Sequence, residues 1–313
     1  MKRKLHLAII LSLVLGLCSF TAACGSSGGN GGYSQYHDPD APPRDTIRAF
    51  LNPESVGTEV YSNDLAAIDT TNASEGYVMA RYLGDAAKAK VQIKVPSGVT
   101  YTYTLFTNEY RTFPLSSGDG SYQINIYENV SDDMYAMVCS HVLDVTLADE
   151  FRPFLYPNVY SWYTAESAAV ALGISISEQS TNNLDYLCQV YDYVITNIIY
   201  DEELAASAPV DYVPDADKTL LTKKGICFDY AALMTTLLRS QGIPTKLEVG
   251  YSGKVYHAWI SVYLEETGWV DGIIQFDGKS WSLMDPTLAA GNSSKAVAKY
   301  IGDGSNYTVK YSY

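Results

Sequence analysis

At 313 residues the chain is long enough for two domains of roughly 100–200 residues each. With 47% hydrophobic and 18% charged residues it has an ordinary globular composition, which excludes wholesale disorder. A formal charge of −14 makes a surface that repels nucleic acid and anionic lipid headgroups, so nucleic-acid partners are excluded. Tyrosine is the compositional outlier, with 27 residues against 8 Phe. Its apolar ring and polar tip suit half-buried sheet faces and recognition surfaces.

Residues 1–23 read as a targeting segment. Lys2, Arg3 and Lys4 form a basic start, and Leu5 to Phe20 form an apolar run. That run is short for a membrane-spanning helix, which needs about 20 apolar residues, and suits a signal peptide. Thr21-Ala22-Ala23-Cys24 resembles a bacterial lipobox, which implies removal of the signal and diacylglyceryl attachment at Cys24. Gly25 to Gly32 (GSSGGNGG) then reads as a flexible tether, taken over residues 24–45. The expectation is an exported protein, lipid-anchored on the outer face of the membrane. Cys139, Cys188 and Cys227 remain in the body, an odd number without repeated spacing. That is neither a disulfide framework nor a zinc motif, and it leaves at least one thiol unpaired.

From about Thr58 to Leu147 the period is two. Ala89, Val91, Ile93 and Val95 alternate with Lys88, Lys90, Gln92 and Lys94, and Pro96-Ser97-Gly98 ends the strand. Val99, Tyr101, Tyr103 and Leu105 alternate with threonines, and Tyr122, Ile124 and Ile126 with Gln123 and Asn125. A long alternating run covers Met134 to Leu147. This pattern predicts an antiparallel, immunoglobulin-like β-sandwich over 46–150. Cys139 and His141 share a face of the last strand with Met137, Leu143 and Val145, which favours a core position over half a metal site.

Near Glu150 the period changes, and an α+β domain is expected over 151–313. Leu184, Leu187, Cys188, Tyr191, Ile195 and Ile198 recur at helical spacing, predicting an amphipathic helix that ends near Tyr200. Cys188 lies on its apolar stripe and reads as a small core residue. A polar, Pro-containing loop is expected from Asp201 to about Lys218.

Residues 225–251 read GICFDYAALMTTLLRSQGIPTKLEVGY. A helix starts at or next to Cys227 and stops at Gly242, with Pro244 blocking continuation. A cysteine at a helix N-terminus meets the positive end of the dipole, which favours thiolate. Lys223 and Lys224 act in the same direction, and Asp229 in the first turn opposes them. His257 then opens a strand with Trp259, Ser261 and Tyr263 on its face. A hairpin follows, from Ile273 to Phe276, through Asp277-Gly278, to Trp281–Asp285. If the His257 and Asp285 strands are neighbours, both side chains share one side of a sheet with the Cys227 helix packed against it. Thiolate, proton acceptor and imidazole orienter would then be complete. Asp271 and Asp277 are poorer orienters, because each sits beside glycine where turns are expected.

In that order, GICFDYAALMTTLLRSQGIPTKLEVGY, HAWISVYL and WSLMDPT resemble the core of the transglutaminase-like superfamily, over roughly Tyr160 to Thr287. The resemblance implies a papain-related fold with Cys227 as nucleophile, His257 as base and Asp285 as orienter. The Cys227 N–H would give one oxyanion donor, with Tyr200 a candidate for the second. The implied reaction is acyl transfer on peptide or protein amides through a thioester, with no cofactor and no metal; the triad does not separate hydrolysis from cross-linking, and hydrolysis is preferred because nothing in the sequence marks an amine site. The other reading is a non-catalytic adhesion module on a vestigial fold, with the tyrosine-rich sandwich as its binding surface. Oligomeric state is left open.

Overall fold

Alternation builds the first half of the computed structural model, which describes residues 37–105, 108–271, 274–276, 281–283 and 307–313. The signal segment and Cys24 lie outside the described residues. One four-stranded antiparallel sheet joins β1 (Val60–Ser62), β2 (Ala66–Asp69), β3 (Tyr77–Tyr82) and, entering later, the strand Arg111–Pro114. The other contains β4 (Ala89–Lys94) and β5 (Thr100–Leu105). With β6 assigned to Arg111–Pro114, it is completed by β7 (Gly120–Ser131) and β8 (Met134–Val145), in the order β5-β4-β7-β8. Register places Val91 between Tyr103 and Ile126, and Ile93 between Tyr101 and Ile124, all buried. These residues share a core with Ile68, Val78 and Phe113 of the first sheet, so the apolar faces of the two sheets meet. The turn into β5 needs Gly98, whose φ of 88° is costly for any residue with a Cβ. Cys139 on β8 is half-buried rather than fully buried, and His141 stacks on Tyr61 with centroids 3.3 Å apart.

The second half is organised around a buried helix. Helices α1 (Ala168–Ser177) and α2 (Asn183–Asn197) precede a two-residue strand, β9 (Ile199–Tyr200). The predicted helix thus stops before Tyr200, which belongs to β9. The stretch expected as a loop holds two short helices, α3 (Glu202–Ser207) and α4 (Ala216–Thr222). Each is started by an aspartate: Asp201 accepts from the N–H of Leu204, and Asp215 from that of Lys218. After β10 (Lys224–Gly225) comes α5 (Cys227–Arg239), buried on every side from Asp229 onward. Leu233, Met234, Leu237 and Leu238 are fully enclosed, each contributing roughly 1.5–3 kcal/mol of burial.

Against α5 lies an antiparallel sheet built from β11 (Thr245–Ser252), β12 (Val255–Leu264) and β13 (Gly268–Val270). After the hairpin β14 (Ile274–Phe276) and β15 (Trp281–Leu283), β16 (Tyr307–Ser312) completes it in the order β13-β12-β11-β16. Among the described residues β15 pairs only with β14, so the expected pairing of the Asp285 strand with the His257 strand is not found there. Asp277 and Asp285 themselves lie outside the described residues.

Residues 37–48, the end of the expected tether included, run along the helices. His37 Nδ1 lies 3.0 Å from the Asp185 carboxylate. Arg44 donates to Asn183, to Ser177 Oγ at 2.7 Å and to the Gln241 carbonyl. The described residues form one compact unit, and the boundary expected near Glu150 falls inside it. A cluster of rings crosses that point: Tyr103 meets Phe113, Tyr160 and Tyr313, and Tyr101 meets Tyr311 and Tyr313.

Candidate active site

Cys227 is the first residue of α5 because the chain turns sharply there. Ile226 is extended (φ −96°, ψ 178°), and its N–H donates to Asp229 Oδ2 at 2.8 Å while its carbonyl accepts from Asp229 and Tyr230. Gly225 makes room for this turn, since a Cβ there would stand 2.6 Å from that of Asp229. Asp229 is therefore not merely an opposing charge. It is buried, caps the helix, and accepts a 2.7 Å hydrogen bond from the Tyr212 hydroxyl. Burial pushes its carboxyl above the ordinary value, partly offset by those two hydrogen bonds. Parallel pairing of β9 with β10 sets Tyr200 opposite Gly225, two residues before the cysteine.

His257 sits on β12 directly opposite Gly250 of β11. Gly250 is required by a close approach: a Cβ would lie 2.0 Å from the Thr308 carbonyl oxygen, where the register of β16 shifts. That approach brings Tyr307 alongside, so the buried His257 ring has Trp259 at 6.3 Å and Tyr307 at 6.4 Å. The Trp259 and Tyr307 rings meet edge to face at 5.1 Å. On this same face Glu248, opposite Trp259, accepts from Ser261 Oγ at 2.7 Å and Ser312 Oγ at 3.2 Å. It thereby ties β16 to β12 across β11.

Cys227 and His257 line one cavity of about 690 Å³, and Tyr200 lines it with them. Its other walls are aromatic, with Tyr160, Tyr212, Phe228, Tyr256 and Tyr311, and no Asp, Glu, Lys or Arg is among the described lining residues. Burial, and to a lesser extent the neighbouring Tyr311, Tyr251 and Cys227 side chains, raises the Tyr256 phenol above its ordinary value. Tyr256 thus stays a hydrogen-bond donor beside the cysteine. Sequence reading passed over Tyr212 and Tyr256, because nothing local marks a tyrosine as facing a cleft, and over Glu248, because nothing local marks a strand acid as buried. Asp229 carried a signal, an acid three places after the residue that precedes the helix.

The other two cysteines differ. Burial pushes the Cys188 thiol up to about 12, as befits a core residue on α2, and also raises Cys139. Neither lines the cavity.

Residues 170–272 match the model of the transglutaminase-like superfamily. The uncharacterised Bacillus subtilis protein YebA is 30% identical over 118 residues, covering 32% of this chain and 16% of YebA, so the chain spans less than a fifth of that relative. Among solved structures, a proposed cysteine protease from Cytophaga hutchinsonii is 16% identical, covering 68% of this chain and 79% of its own at a TM-score of 0.35. Red sea bream transglutaminase is 12% identical, with 67% and 48% covered and a TM-score of 0.29. Over residues 170–272, a third of its length, the chain is thus similar to the transglutaminase-like superfamily.

Proposed function

We propose that this protein is a cysteine acyl-transfer enzyme that hydrolyses peptide or protein amides, anchored outside the cell through a lipid on Cys24. The observation that supports this best is that Cys227 and His257, on separate elements, line the same cleft. His257 takes the proton from Cys227 Sγ, and the thiolate attacks the amide carbon. The resulting oxyanion is received by the Cys227 N–H and by the Tyr200 hydroxyl. Collapse breaks the C–N bond, His257 returns its proton to the departing amine, and a thioester remains on Cys227. Water, deprotonated by His257, then releases the acid and restores the thiol. Asp285 orients the imidazole by accepting from its other N–H. The two N-terminal sheets, taken as an immunoglobulin-like sandwich, serve as an accessory module to this chemistry.

The test is incubation with a peptide library in the presence of a labelled primary amine, scoring cleavage and amine incorporation together. Cys227-dependent cleavage without incorporation is expected. Incorporation in place of cleavage would make the enzyme a transferase, and products undiminished in Cys227→Ala would remove the thiol from the chemistry.

A further inference from the structure

A second cavity, of about 410 Å³, adjoins the Cys227 cleft. Three segments line both. Val159 faces the second and Tyr160 the first; Val213 faces the second and Tyr212 the first; on β5, Thr104 faces the second and Thr102 the first. Neighbouring residues are about 3.8 Å apart and same-face strand residues about 7 Å, so the two cavities lie side by side along β5. That strand ends its sheet, and only its β4 side is paired among the described residues. An edge strand offers main-chain N–H and C=O groups to an extended peptide. The opposite wall is fixed rather than loose, since Tyr212 is bonded to Asp229 and Asp211 pairs with Lys88 at 3.2 Å.

The two cavities differ in chemistry. No described charged residue lines the Cys227 cleft, whose six tyrosines and Phe228 would leave a charged side chain desolvated without a partner. The second cavity carries Arg111, whose guanidinium lies 5.6 Å over Trp162, together with Asp215 and Asp217. Each aspartate gives one oxygen to a helix start, Asp215 to the Lys218 N–H and Asp217 to the Ala169 N–H, which leaves the other oxygen to a ligand.

We infer that the substrate is an extended peptide lying along β5, with an uncharged aromatic or apolar residue beside the scissile amide and a polar residue further along, in the Arg111–Trp162 cavity. This rests on the acyl-transfer reading and makes the N-terminal sheet part of the substrate site. Binding is measured on Cys227→Ala protein, by fluorescence anisotropy. The probes are labelled decapeptide libraries with Phe, Lys or Glu fixed at the fifth position, and their tripeptide counterparts. The Phe decapeptides should bind at least tenfold more tightly than the Lys or Glu ones, and at least tenfold more tightly than Phe tripeptides. Thr104→Trp fills the second cavity from an exposed strand face and should cut the decapeptide advantage to under twofold. Trp162→Ala, on a partly exposed ring, should reduce it as well. Equal affinity for long and short probes, or an advantage unchanged in both variants, would overturn the extended site. Turnover by the wild-type protein is scored separately. Its absence, with the length dependence of binding intact, would overturn the acyl-transfer reading and leave the extended site standing.

Discussion

Cys227 and His257 were legible as residues because each stands in a string whose local physics is distinctive: a glycine-led helix start and an alternating strand. Their convergence in one cavity was not, since nothing local says which face of β12 looks toward α5. Loss of the proposed base should be visible without a substrate. His257→Ala should slow alkylation of Cys227 by iodoacetamide at pH 7 about tenfold or more, the low end of a general-base contribution being ~10²-fold. The measurement uses protein with Cys139 and Cys188 changed to Ser; equal rates would separate the two residues. Asp229 gives a second prediction. Burial raises its carboxyl in the folded chain, so the folded state binds the proton more tightly than the unfolded one. Its contribution is therefore full below the unfolded value of about 4 and is lost as pH rises through the folded one. Asp229→Asn keeps hydrogen-bonding capacity toward Tyr212 without a charge. Relative to wild type, its urea midpoint should rise between pH 4 and pH 7. A difference that does not vary with pH would show that Asp229 is not the buried acid responsible.

Elements with a polar face were visible and those without were not. β4 and β7 showed themselves by alternation, whereas α1 (AAVALGISIS) is apolar on nearly every side and has no period to detect. The exit of α5 shows how a readable string can hide its reason. Gly242 takes φ 75° and lets the Ile243 N–H return to the Leu238 carbonyl, as a glycine past a helix end should. Arg239, in the same string, looks like a surface cation in the last turn and is instead 1% exposed. Its guanidinium donates to the Thr245 carbonyl through two nitrogens (2.9 and 2.7 Å), to the Tyr156 carbonyl at 2.8 Å and to the Tyr313 main-chain oxygen at 2.7 Å. No described Asp or Glu side chain pairs with it; main-chain oxygens and the negative end of α5 hold the charge. Burial lowers its pKa to about 10, which leaves it protonated at neutral pH. Arg239→Met keeps length and removes every donor, so at ~1–3 kcal/mol per buried acceptor left unmade the fold should lose about 3 kcal/mol or more. Arg239→Lys should recover only part, because one ammonium cannot reproduce the planar fork. Urea denaturation of the three proteins checks this, and a loss under 1 kcal/mol for Arg239→Met would show that water replaces the fork.

At the scale of the whole molecule, the excess of tyrosine has a structural use that composition could only hint at. Several rings are buried with the hydroxyl on a main-chain carbonyl: Tyr122 on Gly118, Tyr186 on Leu237, Tyr230 on Ile198. Others interlock where the N-terminal sheets meet the helix-and-sheet half. The proposed lipid anchor belongs to this scale too: Cys24→Ala should move the protein from the detergent-extracted membrane fraction to the soluble one, and unchanged retention would count against lipidation. The change of period near Glu150 suggested two parts that could be cut apart. The seam argues otherwise. A fragment of residues 151–313 would uncover Tyr160, Tyr311 and Tyr313, which pack on Tyr101 and Tyr103. It would also lose Arg44, whose three side-chain hydrogen bonds reach α1, α2 and the exit of α5. Exposed rings and unpaired polar groups together exceed what a marginally stable domain tolerates, since total stability is only about 5–15 kcal/mol. Residues 37–313 should therefore unfold in one cooperative urea transition, seen alike by tyrosine fluorescence and far-UV circular dichroism. The 151–313 fragment should bind the dye ANS and melt without cooperativity. A sharp transition in the fragment, with Cys227 alkylated at the intact protein's rate, would show that the helix-and-sheet half folds without the N-terminal sheets; β5 would then be a neighbour of the cleft instead of one of its walls.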